Sequence, residues 1–260
     1  MKLNYIEQGS GPVIILIHGM FGSLSNLGML ARSLVDDCRV ISVDLRNHGD
    51  SPHAQQMDLA SMAGDIIELM DDLNISSANL IGHSLGGKIA MQVALNFPAK
   101  VQSLVVADIA PVTYSGGQDQ ALAALTALSQ LRVHSRSAAD QVMSEYIEEA
   151  PTRAFLLKNL ARDDQGNLSL KLNMASILDN YATTLVAAPT GDSYAGPTLF
   201  LKGENSAYIQ HKHRPIIEKM FPKAKLKVVA NTGHWLHAEK PRLVNSLVAA
   251  FLGENHLIKG

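Results

Sequence analysis

The stretch Ala78-Asn79-Leu80-Ile81-Gly82-His83-Ser84-Leu85-Gly86-Gly87-Lys88 decides the fold. Its apolar opening reads as a buried strand. From Leu85 to Asn96 apolar residues recur at spacings of three and four, the pattern of a helix that lays one face on a sheet. Gly82, Ser84 and Gly86 alternate between the two, so strand passes into helix through a sharp turn with a serine at its tip. Such a turn strains the serine backbone, and glycine is expected on either side because side chains there would collide with it. The helix that starts at Leu85 points its first amides at the same place, ready for developing negative charge. Ser84 is the expected nucleophile.

Working outward, short β-branched runs alternate with helical patterns. The strands are Val13 to Ile17, Val40 to Val43, Ala78 to Ile81 and Val101 to Ala107, and the helices Asn26 to Val35, Leu59 to Leu73 and Leu85 to Asn96. This predicts an α/β domain with a mostly parallel sheet covered by helices on both faces. Met1 to Glu7 reads as a further strand. From Tyr114 to Ser193 the strand signal vanishes and the pattern is helical. It resumes with Thr198 to Leu201, a helix near Ile209 to Met220, the strand Leu226 to Val229 and a helix opened by Pro241. The expected organisation is a core of residues 1–112 and 195–260 carrying an all-helical lid, residues 113–194.

The 260 residues, 47% hydrophobic and 18% charged with a net charge of −2, suit an ordinary globular enzyme. No cluster of Lys and Arg marks a nucleic-acid or anionic membrane surface. Val13 to Ile17 is too short for a membrane span or a signal segment. The expectation is a cytoplasmic protein, a monomer or small homo-oligomer, whose partner is a small-molecule substrate. Cys38, the single cysteine, reads as a core residue rather than a nucleophile.

Two further segments converge on Ser84. His18-Gly19-Met20-Phe21-Gly22 follows the first buried strand, the place from which such a sheet supplies a second oxyanion amide. The expected donors are the main chains of Leu85 and Met20, with Phe21 the second choice for the latter, and His18 is expected to brace the loop. Gly233-His234 follows the last strand and can fold over the carboxyl edge, which makes His234 the expected general base and His237 a bystander. Two carboxylates end strands on that edge. Asp108 follows Val101 to Ala107 and keeps the order Ser, Asp, His; Glu204 lies in Gly203-Glu204-Asn205-Ser206, whose fourth place, a common home for the acid, is serine. Asp108 is the preferred acid, with Glu204 the alternative.

Asp44-Leu45-Arg46-Asn47-His48-Gly49-Asp50-Ser51 also ends a strand on this edge and is read as a brace of hydrogen bonds and an ion pair. His211 and His213, two apart on a helix, point to different faces, and no His-Glu-x-x-His run occurs, so no metal is expected. The glycines at 82, 86 and 87 lack nucleotide-loop spacing, so no cofactor is expected.

In His18 to Gly28, Asp44 to Gly49, Gly82 to Lys88, Asp108 to Pro111 and Gly233 to Pro241, the chain resembles the α/β-hydrolase superfamily, and within it the bacterial YbfF-type esterases. The resemblance spans nearly the full length. It implies an α/β-hydrolase fold with a helical cap, and a serine, an aspartate after the sixth strand and a late histidine matching Ser84, Asp108 and His234. It also implies hydrolysis of short-to-medium acyl esters, with acyl-CoA thioesters as candidates. Serine at position 84 argues against the dehalogenase and epoxide-hydrolase branches, which use a carboxylate. A cofactor-free perhydrolase, a carbon-carbon bond hydrolase and a non-catalytic ligand receptor are the alternatives. Leu122, Leu125, Leu128, Phe155, Leu156 and Leu160 of the insertion would line an acyl pocket or pack the cap on itself.

Overall fold

The computed structural model describes residues 1–115, 119–162, 166–255 and 257, without the side chains of Asp119 and Thr184. Positions 116–118 and 163–165 of the expected lid, and 256 and 258–260 of the expected core, lie outside the described residues. The main sheet contains β1 (Tyr5–Gln8), β2 (Val13–Ile17), β3 (Arg39–Val43), β4 (Ala78–His83), β5 (Val101–Ala107), and then, after the insertion, β8 (Thr198–Gly203) and β9 (Ala224–Val229). The order is β1-β3-β2-β4-β5-β8-β9. β1 runs antiparallel to β3, pairing Tyr5 with Val43, and every other neighbour is parallel. β4, which ends at the elbow, is therefore central, and all the loops that matter leave the same edge of the sheet.

The inner strands are almost unbroken apolar runs because both their faces are buried, whereas the edge strands β1 and β9 are largely exposed and carry polar residues. In β2, Ile14 and Leu16 join Val105, Leu199 and Leu201 on one face, where α1 (Gly28–Leu34) and α10 (Pro241–Glu254) bury Leu34, Val248 and Leu252. Ile15 and Ile17 turn to the other face, packed with Ile66 and Met70 of α2 (Leu59–Asp72) and Ile89 and Val93 of α3 (Leu85–Asn96). Each such side chain removed from water is worth about 1.5–3 kcal/mol. Asp58 caps α2 by accepting the Ser61 N–H at 2.7 Å, as an aspartate at that place does. Cys38 is fully buried, and desolvation, helped by Asp37, pushes its thiol up to about 11.

Between β5 and β8 lie α4 (Asp119–Ser129), α5 (Arg136–Ser144), α6 (Ala150–Leu156) and α7 (Met174–Asn180), the last extended by a π-helical turn, Tyr181–Leu185. The expectation of an all-helical block is corrected here: β6 (Leu160–Arg162) and β7 (Leu168–Leu170) form a small antiparallel hairpin, with Leu160 opposite Leu170. The alternation Leu168-Ser169-Leu170 carried that signal, but three residues are too few to stand out from a helical background. Beyond β8, α8 (Arg214–Met220), α9 (Leu236–Glu239) and α10 complete the chain. His211 and His213 lie in a single 3₁₀ turn before α8. Among the described residues no helix is long and apolar enough to cross a membrane.

Candidate active site

Ser84 stands between the last residue of β4 and the first of α3 with φ +52° and ψ −118°, a left-handed backbone that costs a non-glycine residue about 1–3 kcal/mol. Its main chain is held from both sides: its N–H donates to the Ala107 carbonyl at 2.9 Å, and its carbonyl accepts the Lys88 N–H at 3.1 Å. The flanking glycines are needed for a different reason from the one expected. A Cβ on Gly82 would lie 2.2 Å from the Gly86 carbonyl oxygen, and one on Gly86 would lie 2.2 Å from that of Ile17. They let backbone pass against backbone. The glycine that faces the serine is Gly19, where a Cβ would meet Ser84 Cβ at 3.2 Å.

His234 leaves the loop after β9 and reaches the elbow, Nε2 lying 3.0 Å from Ser84 Oγ. Its Nδ1 lies 2.8 Å from Oδ2 of Asp108. The ring is held by more than this pair. His83 donates Nε2–H to the His234 carbonyl at 2.8 Å, and the Tyr208 ring stacks on the imidazole at 4.1 Å between centroids. His237 does not touch the serine; it packs edge-on to His83 at 4.3 Å, and burial lowers it to about 4.

Asp108 is fully buried at the end of β5 with φ +53°. Oδ1 accepts the Gly203 N–H at 3.0 Å, and Oδ2 accepts the Ser206 hydroxyl as well as facing His234. Glu204, the alternative acid, is turned away, its carboxylate accepting the Asn231 N–H at 2.7 Å. The serine in the fourth place of that turn thus has a use, as a donor to the carboxylate that stands one strand over. Ser206, Tyr208 and His83 escaped the sequence reading. For Ser206 the one signal was its place in the turn; Tyr208 and His83 had none.

Met20 and Leu85, the expected oxyanion donors, line the small cavity together with Ser84. Leu85 is the first residue of α3, where an amide has no partner in its own helix. The Phe21 N–H is spent, donating to His48 Nε2 at 3.2 Å, so Phe21, the second choice, is corrected. His18 acts in the same way, its Nε2 accepting the Leu45 N–H at 3.1 Å while Nδ1 faces the Gly19 carbonyl at 2.7 Å. Burial lowers His18 to about 4 and, with His18 beside it, His48 to about 3.

Asp44 anchors the same loops. It accepts N–H groups from Leu24 at 2.7 Å and Asp50 at 3.0 Å and the Asn4 amide at 2.7 Å, and a Cβ on Gly49 would strike its carboxylate at 2.2 Å. Arg46 pairs with Asp65 through two bonds of 2.6 and 2.8 Å. Ser51 donates to the Asp44 carbonyl at 2.6 Å. The segment is a brace.

Ser84 opens on two cavities. One of about 510 Å³ is walled by Ile147, Phe155, Leu156, Tyr208, His234 and Trp235. The other, of about 40 Å³, lies on the Leu85 side and is bounded by the insertion. Of the six apolar residues expected to line a pocket, Phe155 and Leu156 face the large cavity, whereas Leu125 and Leu128 are buried in the general core.

The α/β hydrolase fold family model matches residues 12–241. The chain is 36% identical over 260 residues to Esterase YbfF of Escherichia coli K12, covering 98% of this chain and all of that one. It is 38% identical over 250 residues to the sn-1-specific diacylglycerol lipase ABHD11 of Mus musculus, covering 93% and 81%. A solved structure described as a marine microorganism esterase superposes with a TM-score of 0.93 at 39% identity, over 97% of this chain and all of that one.

Proposed function

The chain belongs to the α/β-hydrolase fold family, and from that premise we propose that it is a serine carboxylesterase or thioesterase acting through Ser84, His234 and Asp108. The observation that carries the reading is one continuous chain of contacts. Ser84 Oγ lies 3.0 Å from His234 Nε2, and His234 Nδ1 lies 2.8 Å from Asp108 Oδ2, at the mouth of the large cavity. The names of the relatives, an esterase and a lipase, support a small-molecule ester as substrate.

In this mechanism His234 takes the hydroxyl proton as Ser84 attacks the carbonyl carbon. The amides of Leu85 and Met20 hold the resulting oxyanion. Asp108 keeps the proton of the imidazole on Nδ1, leaving Nε2 free to accept. His234 then gives its Nε2 proton to the departing alcohol or thiol. Water, deprotonated by the same imidazole, releases the acid from the acyl-enzyme and restores the serine. The described residues of the insertion serve as the lid over this centre, fastened by Lys88, whose ammonium donates to the carbonyls of Val186 at 2.7 Å and Ala187 at 2.5 Å.

The test is hydrolysis of p-nitrophenyl butyrate and butyryl-CoA by wild type and Ser84→Ala, with a fluorophosphonate probe as a label for the nucleophile. Wild type is expected to turn over and to be labelled once, and folded Ser84→Ala to do neither. Wild-type rates in Ser84→Ala would refute the assignment.

A further inference from the structure

The reaction itself distinguishes the two cavities at Ser84. At the tetrahedral carbon one oxygen faces the amides of Leu85 and Met20. The leaving atom must lie within reach of His234 Nε2, which supplies its proton. The remaining substituent, the acyl chain, has to point away from the imidazole. His234 and Trp235 wall the large cavity and not the small one, while Leu85 walls the small cavity and not the large one.

Resting on the serine-hydrolase reading above, we propose that the small cavity is the acyl subsite and the large cavity the leaving-group subsite. The enzyme then selects short acyl groups, of about two to four carbons, carried on larger apolar alcohols or thiols. About 40 Å³ has room for roughly one to three groups the size of water, and so for the methyl to propyl tail of such an acyl chain.

The small cavity is also lined by parts that cannot readily give way. Lys88 presents its stem, because its ammonium is held by two main-chain carbonyls and lies 4.8 Å from the Tyr114 ring centre. The Tyr114 hydroxyl is fixed in turn, accepting from the Ala110 N–H at 2.9 Å and donating to the Tyr208 carbonyl at 2.6 Å. Tyr181 and Leu185, at either end of the π-helical turn, supply more of the wall together with Ile109, and all three are buried. Further methylenes would have to displace these packed side chains or push them off their rotamers. The large cavity, of about 510 Å³ against about 40 Å³ and walled by Phe155 and Leu156, leaves room for a bulky leaving group.

This assignment changes what Phe155 does. As a wall of the leaving-group side it governs the alcohol or thiol, not the acyl length.

The experiment uses two ester series on the whole enzyme. In the first, p-nitrophenol is constant and the acyl group grows from acetyl to decanoyl; in the second, acetyl is constant and the alcohol grows from methyl to octyl. In wild type, kcat/KM is expected to fall about tenfold or more between butyryl and hexanoyl, and to hold or rise along the alcohol series. Leu185→Ala should move the fall to longer acyl groups and leave the alcohol series unchanged, while Phe155→Ala should alter the alcohol series and leave the acyl cutoff in place. A wild-type acyl profile that is flat or rising to decanoyl overturns the proposal, as does an acyl cutoff that moves in Phe155→Ala and not in Leu185→Ala. Should Leu185→Ala fail to fold, the wild-type series decides alone. Loss of all turnover in Ser84→Ala alongside a flat acyl profile sinks only the subsite assignment; full turnover in Ser84→Ala sinks the hydrolase reading with it.

Discussion

The Ser206 hydroxyl donates to Oδ2 of Asp108, the same oxygen that faces His234 Nδ1. Residues on two neighbouring strands' loops thus share one carboxylate, and with the Gly203 N–H on Oδ1 they fix its plane. Asp108→Asn should lower kcat about 10,000-fold, because the amide cannot hold the imidazole in the required tautomer. Ser206→Ala removes one bond to a carboxylate and should cost about 10- to 100-fold in kcat/KM. Glu204→Gln should stay near wild type. A crippled Glu204→Gln beside a healthy Asp108→Asn in steady-state ester hydrolysis would reverse the assignment of the acid.

The paired imidazoles under the oxyanion loop give a pH dependence of stability. His18 and His48 each accept a main-chain N–H at Nε2, which only the neutral ring can do. Their values, about 4 and about 3, lie below the ordinary 6.5 of an unfolded chain. Between those limits the unfolded state binds more protons, so stability rises with pH across the window. It is complete above pH 6.5 and is lost as pH falls through the folded values. The thermal midpoint should therefore drop steadily from neutral pH towards pH 4; a midpoint flat over that range would contradict the neutral, accepting role of these rings.

Asp44→Ala should be more damaging than its distance from Ser84 suggests. It removes the acceptor of three part-buried hydrogen bonds, from the N–H groups of Leu24 and Asp50 and the Asn4 amide, and a bond to a charged group is worth about 1.5–3 kcal/mol, less where water reaches the donor, as at the exposed Asp50. A loss of about 3 kcal/mol or more in urea unfolding is expected. A loss below about 0.5 kcal/mol would mean that water replaces the carboxylate.

The thiol of Cys38 should be inert in the folded enzyme. It is fully buried and its pKa is raised to about 11, so neither access nor thiolate is available at neutral pH. Iodoacetamide should leave both mass and activity unchanged until denaturant is added. Rapid native labelling would show that the bend leading into β3 opens.

What the sequence by itself determined is local. A strand, a turn with glycine at alternate places and a helix are all written within Ala78 to Asn96, and their physics needs no distant partner. The same holds for the alternation that builds the sheet and for Asp58 as the cap of α2. Order along the chain also singled out His234, since a loop after the last strand must leave the carboxyl edge. Only the tertiary structure shows that Asp108, and not Glu204, lies against His234. β5 and β8 lie side by side and end at one edge, and which carboxylate meets a histidine 126 positions away depends on side-chain direction at the strand ends. The φ of +53° at Asp108 sets that direction, and sequence spacing does not encode it. The spending of the Phe21 N–H on His48, the Ser206 hydroxyl on Asp108, and the two unequal cavities at Ser84 are likewise products of packing between segments far apart in the chain, where the free energy of contact depends on geometry of a few tenths of an ångström.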